Sequence, residues 1–261
     1  MLLPRVLTGI VGIPLLLLLI HWGGMAFSIF VAGVAALALH EYGLILGLGG
    51  LRTQRWNAVV WGGLTALAVA FDGPVPLVLT LAVAVMVAAE MARSQRSLEG
   101  LALSVFGVVF LGLTLAHLSL IRSLRPDGER LTFALFAAVW VMDTAAYAVG
   151  KTLGSRKLAE TLSPKKTWEG AIAGFAASLA VVLAFRAAFL PSALSPAAAL
   201  GLGAVIGVCG QLSDLAESMI KRAVGAKDSG SLLPGHGGIM DRFDSFILAA
   251  PAVYYYMVLL S

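Results

Sequence analysis

Nine apolar runs, each close to the length needed to cross a bilayer, occupy most of this 261-residue chain. They fall at about 6–22, 25–47, 57–72, 75–91, 100–121, 131–150, 169–190, 197–220 and 242–260. A hydrocarbon core roughly 30 Å thick takes about 17–25 apolar residues in helical form, and it holds no water to satisfy a backbone N–H or C=O. Hydrophobic residues make up 59% of the chain, against about 45–50% in soluble domains, and the mean hydropathy is +0.93. The pattern predicts an all-α, polytopic integral membrane bundle of about nine transmembrane helices. The third and fourth runs, divided only by Asp72-Gly73-Pro74, are the weakest. As a re-entrant pair they would leave the downstream topology unchanged.

Charge sets the orientation. With nine spans, the N-terminus and the loops after the second, fourth, sixth and eighth spans share one side, which carries 14 of the 18 Lys and Arg residues. The others are Arg122, Arg125, Arg130 and Arg186. Excess Lys and Arg mark the cytoplasmic face, so the N-terminus is predicted to be cytoplasmic. The first 22 residues are read as a retained helix, because no small-residue cleavage pattern follows Leu15–Ile20 and further spans come at once. Cys209 is the single cysteine; it allows no intramolecular disulfide and reads as a small apolar filler inside the eighth span.

Two regions follow. Residues 1–121 hold spans one to five, with short loops and few charges, and read as scaffold and lipid-facing helices. Residues 122–261 hold spans six to nine and almost all the polar chemistry, with cytoplasmic loops at 151–168 and 221–241. Two spans separate those loops, so they lie on the same side. Gly201, Gly203, Gly207 and Gly210 predict close helix packing in the eighth span.

The candidate site residues concentrate there. Asp214, Glu217, Ser218 and Lys221 stand at offsets 0, 3, 4 and 7, on one helix face. Two carboxylates a turn apart suit a hydrated cation, whereas a local Glu217–Lys221 pair would be worth only about 0.2–0.5 kcal/mol and would not explain the deeper Asp214. Asp241 and Asp244 open the ninth span three residues apart, either as helix-dipole partners or as further metal ligands. Between these groups come Arg222, Lys227, Asp228 and the Pro234-Gly235-His236-Gly237-Gly238 turn, followed by Arg242. Charges at a membrane margin are costly unless paired, hydrated or bound to a ligand. Cations suit phosphates, and carboxylates suit a divalent metal that phosphates can share.

Upstream, Asp143 is a lone carboxylate about two turns inside the sixth span, either functional or bonded to a neighbouring helix. Lys165 and Lys166 follow Pro164 at the start of a helix, a good place for a phosphate; binding to acidic headgroups is the alternative. His40 and Glu41 at the end of the second span read as interfacial or capping residues, with Glu41 able to join the site.

The run from Ser218 through Lys221-Arg222, Lys227-Asp228 and His236-Gly237-Gly238 to Asp241-Arg242-Phe243-Asp244 resembles the signature of the phosphatidate cytidylyltransferases, or CDP-diacylglycerol synthases. Asp143-Thr144-Ala145-Ala146-Tyr147 and Ser163-Pro164-Lys165-Lys166-Thr167-Trp168-Glu169-Gly170 are also similar to that family. The resemblance implies transfer of the cytidylyl group of CTP to phosphatidic acid, with Mg²⁺, a metal centre that also holds K⁺, and a homodimer. It implies Asp214 and Asp241 as metal-binding aspartates, to which the helical spacing adds Glu217 and Asp244 as metal ligands. The residue chemistry itself gives Lys221, Arg222, Lys227 and Arg242 to neutralise the triphosphate and Lys165 and Lys166 to bind CTP or the lipid phosphate. Asp143 would contact substrate or support the metal centre, and His236 would position the loop or donate to a phosphate oxygen. The active site would face the cytoplasm from a bacterial plasma or inner membrane, with no nucleic-acid partner. A cytidylyltransferase for another lipid phosphate is the nearest alternative. An ion or phospholipid transporter is the distant one, expected to show inverted repeats and broken helices near the midplane.

Overall fold

Every one of the nine apolar runs contains a helix. The computed structural model describes residues 2–190, 194–230 and 237–260, with side chains from residue 9 onward. In chain order these are α1 (Leu2–Trp22), α2 (Gly24–Leu48), α3 (Arg55–Ala70), α4 (Val75–Met91), α5 (Leu98–Gly107), α6 (Thr114–Ser123), α7 (Gly128–Thr152), α8 (Trp168–Phe189), α9 (Pro196–Ala223), α10 (Met240–Phe243) and α11 (Phe246–Leu260). A π-helical segment, Val108–Leu113, joins α5 to α6. Among the described residues, six helices are long and apolar enough to cross a membrane: α2, α5–α6, α7, α8, α9 and α10–α11. The apolar part of α1 (Gly9–Trp22), α3 with 16 residues and α4 with 17 are shorter. The protein is an all-α integral membrane protein.

Among the described residues, the two strands lie in the loop 151–168. There β1 (Lys157–Ala159) and β2 (Ser163–Thr167) pair antiparallel, Lys157 opposite Thr167 and Ala159 opposite Ser163. Thr167 then caps α8, its Oγ1 accepting the Gly170 N–H at 3.2 Å. Glu169 in the first turn of α8 accepts the Ser155 hydroxyl at 2.7 Å and the Ser155 N–H at 3.1 Å. The hairpin is therefore fastened to the helix it precedes.

The chain forms two compact units. The first comprises residues 1–120 and 220–243, the second residues 121–219 and 244–261. In the first, Phe27, Leu39, Tyr42, Ile45, Met86 and Leu111 form a core that is almost wholly buried. Tyr42 brings its hydroxyl inside by donating to the Leu103 carbonyl at 3.0 Å, as a buried phenol must. α10 packs on α2, with the Phe30 and Phe243 rings edge-on, centroids 6.2 Å apart.

In the second unit α7 and α8 make the most extensive helix pair. Small residues bring helices close, as expected from the glycines: Gly203 lies against Leu179, Gly207 against Phe175 and Gly210 against Met142. Ser178 donates to the Gly203 carbonyl at 2.9 Å, and Phe136 packs on Phe246 with centroids 4.4 Å apart.

Candidate active site

The candidate site residues fall in both units. In the second unit, helical spacing puts Asp214 and Glu217 on one face of α9. Asp244 is delivered to them by the break between α10 and α11. Ser213 on α9 donates its hydroxyl to the Asp244 carbonyl and accepts the Leu248 N–H at 3.0 Å, which stitches that break to α9. Ligand oxygens of Asp214, Glu217 and Asp244 then lie within 4.8 Å of one another. Glu217 is fully buried, and the charges of Asp214, Glu217 and Asp143 all bear on Asp244.

Two like charges at that separation repel by about 3–4 kcal/mol at an effective dielectric of 20. Lys166 answers Asp214 directly, its Nζ 2.6 Å from Asp214 Oδ2. Alternation along β2 sends Lys166 to the carboxylates while Lys165 is exposed. The donor set, all oxygen and net negative, fits a hard divalent cation such as Mg²⁺.

In the first unit the signature loop is held by two other carboxylates. Asp241 accepts Lys221 Nζ at 2.8 Å, the Ser229 N–H at 3.0 Å and the Gly238 N–H at 3.0 Å. The ion pair is nearly buried, its side chains 11% and 10% exposed. Glu41, on α2, is 2% exposed. It accepts the Met240 N–H at 2.9 Å, the Ile239 N–H at 3.0 Å and the Ser229 hydroxyl at 3.2 Å. Gly238 is required there, because a Cβ would land on Ser229 Oγ and Glu41 Oε2.

Arg222, Lys227, Asp228 and Arg242 are exposed; Arg222 Nη1 donates to the Ala226 carbonyl at 2.8 Å. Asp143 is an exposed residue of α7. His236 lies outside the described residues.

A sequence profile described as the Cytidylyltransferase family matches residues 3–260. The chain belongs to that family. Among curated relatives, the phosphatidate cytidylyltransferase of Brucella suis is 35% identical over 250 residues, covering 96% of this chain and 91% of its own length. The protein of that name from Bacillus subtilis is 32% identical over 275 residues, 98% of both chains. That of Staphylococcus aureus is 32% identical over 255 residues, 95% of both. The resemblance drawn from the signature therefore extends over the N-terminal half as well.

For a cytidylyltransferase, the arrangement supplies what nucleotidyl transfer asks of a protein, namely charge neutralisation and positioning rather than covalent chemistry. The sequence reading placed Asp241 and Asp244 on one helix face. In the structure α10 ends at Phe243, and Asp244 turns to accept the Ser245 N–H at 2.6 Å. Asp241 serves the loop and Asp244 the acidic cluster. Glu41 is the residue that sequence reasoning undervalued, although a signal was present: it is an ionisable group at the end of an apolar span, the same property that singled out Asp143.

Proposed function

We propose that this cytidylyltransferase transfers the cytidylyl group of CTP to phosphatidic acid, yielding CDP-diacylglycerol and pyrophosphate. The observation that carries the reading is the Asp214–Glu217–Asp244 cluster with Lys166 at its edge, in a chain whose curated relatives bear that activity in their names. A phosphate oxygen of phosphatidic acid attacks the α-phosphorus of CTP. The bond to the bridging oxygen breaks, and pyrophosphate leaves with the electron pair. The nucleophile is already ionised near neutral pH, so no general base is needed.

Asp214, Glu217 and Asp244 would hold Mg²⁺, which when bound supplies charge neutralisation to the triphosphate. Asp241 is proposed as a further ligand on the strength of the resemblance, as is K⁺. Lys221, Arg222, Lys227 and Arg242 would neutralise the triphosphate and the leaving pyrophosphate. Lys165, Lys166, Asp143 and His236 would contact substrate. Catalysis is assigned to residues 122–261, with loops 151–168 and 221–241. The acyl chains remain in the bilayer while CTP arrives from water.

The topology proposed with it has nine spans, the N-terminus and the active site cytoplasmic, in a bacterial plasma or inner membrane. It rests on the 14 of 18 cations that gather on one side. A homodimer is proposed from the resemblance. Modification of cysteines placed singly at Arg96 and Lys157, from either side of sealed vesicles, reports the orientation; equal labelling from the far side would reverse it.

The deciding experiment is pyrophosphate release by purified, detergent-solubilised protein with Mg²⁺, CTP and phosphatidic acid, each omitted in turn. Release only with all three, alongside a CDP-lipid, is the expected result. Release with a different lipid phosphate alone would move the substrate, and release without any lipid would remove the assignment.

A further inference from the structure

An arginine-lined cleft in the first unit takes no part in the chemistry above. It encloses about 360 Å³ where the end of α2 meets the segment leading into α3, and its walls include Arg52, Arg55, Arg93, Thr53, Asn57 and Trp56. Its shape depends on two glycines. A Cβ on Gly43 would stand 2.5 Å from Arg55 Cγ, so only a bare face of α2 lets the arginine stem lie against it. A Cβ on Gly100 would collide with the Arg52 carbonyl. The Arg52–Arg55 segment is thereby fixed from both sides, and the Arg55 guanidinium rests 5.1 Å from the centroid of the Trp56 ring.

The charge here is poorly balanced. Glu90, 5% exposed, takes Arg93 at 3.1 Å, the Gln54 amide at 2.7 Å and the Ser97 N–H at 2.7 Å. Of the three arginines lining the cleft, Arg93 pairs with Glu90, a carboxylate it shares with Gln54 and Ser97. Gln54 stands at the N-cap of α3 but spends its side chain on Glu90 and the Met86 carbonyl instead of capping, so the positive end of α3 adds to the same charge.

We propose that this cleft binds the phosphate group of an anionic phospholipid. Planar guanidinium forks match phosphate oxygens in pairs, which selects phosphate over a simple cation-lined surface. Lipid as its source follows from the rim. Trp56, which lines the cleft at the start of the apolar α3, is 63% exposed, as suits an interfacial tryptophan beside lipid. A free phosphate would satisfy the guanidiniums and leave that rim bare. The assignment goes beyond the transfer reaction and uses none of its residues.

The test compares wild-type protein with the Arg52→Gln/Arg55→Gln double variant in detergent, counting phosphatidylglycerol and phosphatidylcholine retained through delipidation by native mass spectrometry. Wild type is expected to keep phosphatidylglycerol at least about tenfold more tightly than the variant, with phosphatidylcholine unchanged and CTP turnover within about twofold. Arg52→Gln alone covers the case in which losing Arg55 from its packing on Gly43 harms folding, and should weaken retention at an unaltered melting temperature. Equal retention by wild type and both variants would overturn the proposal. So would a calorimetric titration in which inorganic phosphate binds wild type but not the variants, while no preference for phosphatidylglycerol is seen. Turnover is read separately, so neither result bears on the cytidylyl transfer.

Discussion

Met240 donates its backbone N–H to Oε2 of Glu41 at 2.9 Å, across 199 positions of sequence. With Ile239 and Ser229 giving to the same carboxylate, an N-terminal helix positions the loop that carries Asp241. Three donors converge, so an acceptor-only group is required and glutamine cannot replace it. Glu41→Gln is expected to lower kcat about 10- to 100-fold, the equivalent of one or two buried hydrogen bonds, with KM for CTP less affected. Steady-state pyrophosphate release measures both, and a wild-type kcat would reduce Glu41 to an ordinary packing residue.

Gly238→Ala attacks the same clamp from the other side, because its Cβ would meet Ser229 Oγ and Glu41 Oε2. Alone it should resemble Glu41→Gln in kcat and in melting temperature. Combined with Glu41→Gln it should add little, since groups in one network are not additive. A double-mutant cycle that returned independent losses would mean the two residues act apart.

Asp214→Asn and Asp241→Asn should each cut turnover at least about 10²-fold, the scale of one lost electrostatic contact, yet differ in stability. Asp241→Asn breaks the nearly buried Lys221–Asp241 ion pair and should cost about 3 kcal/mol. Asp214→Asn relieves repulsion in the acidic cluster and should leave the metal-free melting temperature unchanged or higher. Thermal melts in chelator separate them; identical melting temperatures would contradict the division of roles.

Lys166→Ala removes the ammonium that competes for Asp214, with both side chains about a quarter exposed. Half-saturating Mg²⁺ should fall by up to about fivefold, the range of a partly solvated pair. Lys165→Ala, on the opposite face of β2, should raise KM for one substrate and leave the Mg²⁺ dependence alone. Mg²⁺ titrations at fixed CTP and phosphatidic acid distinguish the two, and parallel shifts in both variants would erase the distinction between the lysines.

What was legible in the sequence follows the range of the forces involved. The helices could be read because the bilayer demands apolar runs of set length, and Asp214 with Glu217 because helical spacing is local. The β1–β2 hairpin was not foreseen: Ser163-Pro164-Lys165-Lys166-Thr167 has no apolar alternation, and its pairing is fixed by contacts such as Ser155 with Glu169. The parting of Asp241 and Asp244 was equally hidden, because their partners, Lys221 and Ser229 for one and Ser213 for the other, are 12 to 31 residues away. Glu41 was half visible as a membrane-end carboxylate, but its donors lie near the far end of the chain.

The distance between Glu41 and its donors has a biosynthetic consequence. Residues 1–120 share their unit with residues 220–243, so α2 can be threaded into the bilayer long before its carboxylate has anything to hold. At about 5–20 residues per second, roughly 10–40 s of translation separate Glu41 from Met240. Until the ribosome has delivered that last stretch, the N-terminal helices are a vessel without its closure, and the enzyme cannot fire on a half-made chain.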